Sequence, residues 1–187
     1  MPLLTALVLV TVRLFDSYGV RADVLHRATA VTSATLERAG VRANWVNCVA
    51  LPRPPRCSAS LQPGELIIRF RPGPGEPTEA LVLGIAMIDS EAHQGTVATV
   101  YPDRVAALSQ TAKTSPATLL GRTIAHEIGH LLLGRPEHAK HGIMRARWTA
   151  VELRFDTRRD WLFSDGEAAL MRQQAVQRSG TTAELVE

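Results

Sequence analysis

The stretch Thr123-Ile124-Ala125-His126-Glu127-Ile128-Gly129-His130-Leu131-Leu132-Leu133-Gly134 decides how the rest of this 187-residue chain is read. Ser115-Pro116 opens the segment, with Ser as a helix N-cap and Pro at the first helical position, and Gly134 closes it. The spacing therefore predicts one helix reaching Leu133. On such a helix His126 and His130 stand one turn apart and project from the same side, so both imidazoles can reach a single ion. Glu127 is rotated by about 100° from His126, which keeps its carboxylate outside the ligand set but beside a water held there. Leu120, Ile124, Ile128 and Leu131 form the opposite stripe, expected to face the core. One stripe for packing and one for an ion is the pattern of a metal-bearing helix, and H-E-x-x-H points to zinc. The plain alternative is a surface helix with two solvated histidines and an unrelated glutamate. The capping signals and the histidines that follow at once weigh against it.

Two histidines leave such a site incomplete, because catalytic zinc usually has three protein ligands and a water. Gly134 lets the chain turn sharply out of the helix, and Arg135-Pro136-Glu137 carries it back, so His138 is the preferred third ligand. His141, beside Gly142, is the alternative. Glu152, Asp156 and Asp160 are also at feasible separations if a carboxylate completes the site.

His126-Glu-x-x-His130, followed by a glycine, a third histidine and Gly142-Ile143-Met144, resembles the metzincin group of zinc peptidases. Their pattern is HExxHxxGxxH followed by a methionine-containing turn. Here Gly134 comes one residue late and His138 two residues late, so the resemblance is to a divergent, minimal member and is specific over residues 115–148. It implies an α+β, zincin-like fold: a mixed twisted sheet backed by two helices, with a small C-terminal subdomain holding the Met-turn and one helix. It also implies Zn2+ as cofactor, a peptide or protein as substrate, and a zinc metalloendopeptidase with Glu127 as the general base for a zinc-held water. Met144 becomes the Met-turn residue, a floor under the imidazoles; a gap-filling core methionine is the alternative. Trp148 is expected to pack nearby, or to sit in the core. Leu81 to Met87 resembles the edge strand on which such enzymes align an extended peptide. Gly84 within it either permits a close backbone approach or marks a bulge. A zinc-stabilised binding protein without turnover is the competing reading, and an intact Glu127 argues against it. No second proton donor stands out, since Tyr101 precedes the helix, and His26 and His93 read as surface or packing residues.

The remaining chain is consistent with one catalytic domain over 1–187, divided as 1–134, 135–178 and a tail at 179–187. With 45% hydrophobic and 21% charged residues the composition is ordinary globular, and the length suits one core. A net charge of +3 without a Lys/Arg-rich run, and only 5% aromatic residues, speak against nucleic-acid binding. A monomer is expected. Residues 3–12 are apolar but lack a basic leader and a small-residue cleavage site, so they are read as the first strand, over 7–15, and not as a signal. No stretch approaches the ~20 apolar residues of a membrane span. Further along, the patterns predict a helix over 21–39, strands over 41–48, 65–70, 80–89 and 96–101, and a short helix over 103–110. Residues 135–163 are read as irregular, and Ser164-Asp-Gly-Glu167 as a capping box opening a last helix to about Arg178. Cys48 and Cys57 flank a proline-rich loop. A disulfide there would favour a secreted or periplasmic setting, and two free thiols are the alternative.

Overall fold

A computed structural model describes residues 7–75, 82–155 and 158–180. Ten elements carry the fold. They are β1 (Val8–Asp16), α1 (Ala22–Arg38), β2 (Val41–Asn47), β3 (Glu65–Phe70), β4 (Gly84–Asp89), β5 (Gln94–Val100), α2 (Pro102–Ala112), α3 (Pro116–Leu133), α4 (Ala150–Phe155) and α5 (Asp165–Ser179). The five strands form one mixed sheet in the order β2-β1-β3-β5-β4. The first four are parallel, and β4 runs antiparallel to β5 along one edge. Among the described residues no helix is long and apolar enough to cross a membrane.

Alternation sets the sheet's two faces. Val10, Val12 and Leu14 of β1, Leu66, Ile68 and Phe70 of β3, and Ala98 and Val100 of β5 are all buried in one continuous core. On the other face Arg13 and Glu65 pair directly, although each residue is only 3% exposed. They are covered by the loop after β2, whose Ala59 and Ser60 carbonyls accept from the Arg13 guanidinium at 2.6 and 2.9 Å. Cys48 and Cys57 close that loop as a disulfide.

The helix α3 runs through the middle of the molecule. Leu120, Ile124, Ile128 and Leu131 lie in the core as expected. The rest of the helix from Leu119 to Leu133 is buried as well, because α3 is surrounded by α1, by the β4–β5 edge, and by α2 and α5. Its approach to α1 is close enough that a Cβ on Gly121 would lie 2.5 Å from the Ala28 carbonyl oxygen. The helix begins at the Ser115 cap and ends at Gly134, which has a φ of +64°. Helix α5 starts with the capping box, Ser164 and Glu167 bonding reciprocally. Arg172 on α5 then donates to the Ala39 carbonyl at 2.8 Å, and Arg178 to the carbonyls of Gly95 and Leu131 at 2.7 and 2.6 Å. These bonds tie the last helix to the end of α1, to α3 and to the start of β5.

Element ends shift from the sequence expectations in places. β4 begins at Gly84, not at 80, and residues 80 and 81 lie outside the described set. Residues 135–163 are not wholly irregular, since they contain α4 and a 3-10 turn over Arg158–Trp161. Both pieces are too short to show a helical period. Residues 181–187 of the expected tail, and residues 1–6, are likewise outside the described set.

Candidate metal centre

His126 and His130 project from α3 into a cleft of about 470 Å³ between β4 and the segment 145–148. Each is fixed by a backbone carbonyl: His126 Nδ1 lies 2.8 Å from the Ile143 oxygen, and His130 Nδ1 lies 2.9 Å from the Arg135 oxygen. A carbonyl can only accept, so each Nδ1 carries the proton and each Nε2 presents a lone pair. His138 comes from the loop after α3, and one donor atom from each of the three imidazoles fits within 4.8 Å. The loop is held in place where the Ala139 N–H donates to the Met144 carbonyl at 2.8 Å.

The donor set can be tested for fit to an ion. Nε2 of His130 lies 3.1 Å from Nε2 of His126 and 3.3 Å from Nε2 of His138. Two nitrogens each ~2.0–2.1 Å from one tetrahedral zinc stand roughly 3.3 Å apart. With both Nδ1 protons committed, the Nε2 lone pairs of His126 and His130 face each other with no hydrogen between them. That arrangement is repulsive unless a cation lies between the nitrogens. Three neutral imidazoles are also a donor set that zinc favours. Burial reinforces their neutrality, pulling the His126 imidazole down to about 3 and lowering those of His130 and His138.

Glu127 lines the same cleft and is 4% exposed. Burial raises its carboxyl to about 8 in the absence of a metal. A dication close by would favour the ionised form again. Across from it, Gly84 leaves room for this side chain: a Cβ there would lie 2.5 Å from Glu127 Oε1. The register shift in β4 falls between Met87 and Ile88, so Gly84 marks a close approach and not a bulge.

Met144 is 1% exposed and packs on α3 where Gly129 leaves space, since a Cβ at Gly129 would lie 2.6 Å from Met144 Sδ. Gly142, at a φ of +76°, shapes the turn that delivers Ile143 and Met144 to the helix. Trp148 stands edge-on to His126 with ring centroids 5.6 Å apart, and Trp161 stands edge-on to Trp148 at 5.3 Å. The Arg122 guanidinium lies over the Trp161 ring, 3.7 Å from its centroid. Gly129, Trp161 and Arg122 escape the sequence reading. A glycine inside a helix, which costs ~1 kcal/mol against alanine, was the one available signal.

Other candidates lie elsewhere. His141 is exposed and is not one of the three converging histidines. Glu152 is taken up by an ion pair with Arg145 and by bonds from Thr149, so it does not face the imidazoles. Asp160 is absent from the lining of the cleft, and Asp156 lies outside the described residues. His26 lines a separate small pocket beside α1, and His93 is an exposed residue of the β4–β5 turn. Tyr101 opens α2 and does not line the cleft.

The sequence matches no protein-family profile and no curated protein. The fold is similar to the crystal structure of a zinc-dependent peptidase from Methanocorpusculum labreanum (strain Z). The TM-score is 0.51 and the identity 18%, with 86% of this chain and 99% of that one covered. The likeness is one of fold: a mixed α+β protein built on a five-stranded mixed sheet.

Proposed function

We propose that this protein is a zinc-dependent metallopeptidase of metzincin-like design, with His126, His130 and His138 as ligands and Glu127 as general base. The observation that carries the reading is the convergence of the three imidazoles, two of them locked by Ile143 and Arg135 with Nε2 facing inward. Zinc, when bound, supplies a Lewis acid that polarises a carbonyl and lowers the pKa of a coordinated water towards neutrality. Glu127 accepts the proton of the attacking water and returns it to the leaving amine. Burial makes its carboxylate a stronger base, as a proton acceptor working near neutral pH requires.

The other residues hold this arrangement. Met144 and the Gly142 turn form the floor of the site, the part played by a Met-turn. β4 is an edge strand of the sheet and lines the cleft, and its outward backbone can pair with an extended peptide laid there. The single-domain, monomeric reading of the chain belongs to the same proposal. The likeness in fold to the Methanocorpusculum peptidase supports the zinc-peptidase reading.

The test combines zinc content with turnover. The zinc-loaded protein should cleave members of a broad peptide library, with cleavage lost on chelation and in Glu127→Ala while that variant still binds one zinc. Substituting His138→Ala should lower bound zinc, and Glu152→Ala should not. Full stoichiometry in His138→Ala would overturn the ligand assignment. Zinc binding without cleavage of any peptide would favour a zinc-stabilised binding protein.

A further inference from the structure

We propose that the cleft selects its peptides by a carboxylate and that Arg147 is the side chain that binds it. The inference rests on the peptidase reading above. Along the β4 wall the cleft is apolar, with Val82, Leu83, Ile85 and Ile88 contributing no charge. The facing wall is the segment 145–148, and its two arginines are in different situations. Arg145 is turned into the fold: its Nε donates to the Gly142 carbonyl at 2.9 Å and its guanidinium pairs with Glu152. Arg147 lines the same cleft, is exposed, and has no hydrogen-bond or ion-pair partner among the described residues.

Arg147 is also close to the chemistry. The next residue, Trp148, has its ring 5.6 Å from that of His126. Arg147 itself shares the cleft with His126, Glu127, His130 and His138, so a group held by Arg147 belongs to a peptide seated in that same cleft. Among the described residues that line the cleft, the only acidic one is the 4%-exposed Glu127. The surrounding charge points the same way. Residues 135–154 carry five basic and two acidic side chains, an excess of three that equals the excess of the whole chain. A free guanidinium fork facing an apolar wall is suited to a bidentate carboxylate, and the basic excess of this segment favours an anionic peptide. The carboxylate is either an Asp or Glu side chain or the C-terminus of the peptide.

The experiment uses the zinc-loaded protein and one neutral parent peptide. Single Asp, Glu or Lys substitutions are scanned along it, each with a free and an amidated C-terminus. Turnover is read as kcat/KM, and binding as Kd by fluorescence anisotropy on the non-cleaving Glu127→Ala protein. We expect one carboxylate position to improve both by about tenfold and to weaken with added salt. The preference should vanish in Arg147→Ala and invert towards Lys peptides in Arg147→Glu, with zinc content and melting temperature checked in each. Loss of the effect on amidation assigns the terminal carboxylate; its persistence assigns a side chain. If Arg147→Glu keeps the acidic preference, or no carboxylate outperforms the neutral parent, the assignment to Arg147 is wrong while the peptidase reading stands. If no peptide is cleaved, the peptidase reading fails, and the Kd series still decides whether Arg147 binds carboxylates.

Discussion

Gly84 opens β4 directly opposite Glu127, and replacing it with alanine should disable the proposed base while leaving the metal ligands untouched. A Cβ at position 84 would lie 2.5 Å from Glu127 Oε1, 2.8 Å from Cδ and 2.9 Å from Cγ, where ordinary contact begins near 3.4 Å. Relief therefore requires a shift of about 0.9 Å, set by van der Waals contact. The strand resists it, because Gly84 is paired in register with Val100 of β5. The helix resists it too, because α3 is buried along its length. The Glu127 side chain is what can move. A displacement of ~1 Å at a group that must meet a reacting atom costs on the order of a hundredfold in rate. In Gly84→Ala we expect kcat to fall by about that factor, KM to change much less, and one zinc to remain bound. The assay is steady-state cleavage of a fluorogenic peptide that the wild type turns over, with zinc measured by elemental analysis on the same samples. Gly95→Ala is the control, since a Cβ there meets Ile88 Cδ1 at 2.5 Å and Leu131 Cδ2 at 2.7 Å and does not touch Glu127. It should lower the melting temperature and spare kcat. A Gly84→Ala protein that keeps zinc and turns over within threefold of wild type would refute the reasoning, because Glu127 would then not act from the position seen.

In the metal-free protein Glu127 is raised from 4.5 to about 8, above its unfolded value, so its contribution to stability is fully present below pH 4.5 and is lost as pH rises through about 8. Urea titrations of metal-free wild type and Glu127→Gln should diverge between pH 5 and 8 by ~1.4 kcal/mol per unit, reaching roughly 3 kcal/mol in favour of Gln at pH 7; parallel profiles would contradict a buried, unpaired carboxyl. Burial works against ionisation of Glu65, but the Gln62 N–H, Arg56 and Arg13 outweigh it and hold the carboxyl below 4.5. That stabilisation is present above pH 4.5 and is lost as pH falls through the folded-state value, so Glu65→Ala, which strands the 3%-exposed Arg13, should cost ~3–5 kcal/mol at pH 7 and less in acid by chemical denaturation. In Gly129→Ala the new methyl would meet Met144 Sδ at 2.6 Å and Phe163 Cε1 at 2.7 Å. Overpacking of ~1–3 kcal/mol should lower the melting temperature and weaken zinc binding, and shortening Met144 in the same protein should restore part of both. Zinc at about a hundred times its Kd should stabilise the folded state by ~2.7 kcal/mol, and a melting temperature indifferent to zinc would rule out binding at a site formed only on folding.

Local signals carried most of the fold. Ser115-Pro116 and Gly134 bound α3, Ser164 and Glu167 cap α5, and the 65–70 strand has the expected ends, because each depends on residues within one turn or one pleat. The misreadings arise where the deciding contact is distant. The core stripe of α3 lies where its spacing puts it, but the burial of its other side comes from α1, α5 and the β4–β5 edge, which are distant in sequence. Residues 150–155 form a helix of six residues, too short for its own period to show.

The same division runs through the site. His126 and His130 converge because a helix fixes their separation, so their pairing was visible in the sequence alone. The path that brings His138 to them, and not His141, depends on the Ala139 N–H reaching the Met144 carbonyl at 2.8 Å, a bond that closes the turn between those residues. Arg145 and Arg147 make the point most sharply. In sequence they are two arginines separated by one alanine, with equal claim to the surface. Glu152 on α4 captures the first, and only because the unforeseen helix turns that carboxylate back towards the loop. The second is then left without a partner among the described residues, in the lining of the cleft. On the proposal that Arg147 reads the peptide, the selectivity of the cleft is thus set by a helix of six residues that does not line the cleft.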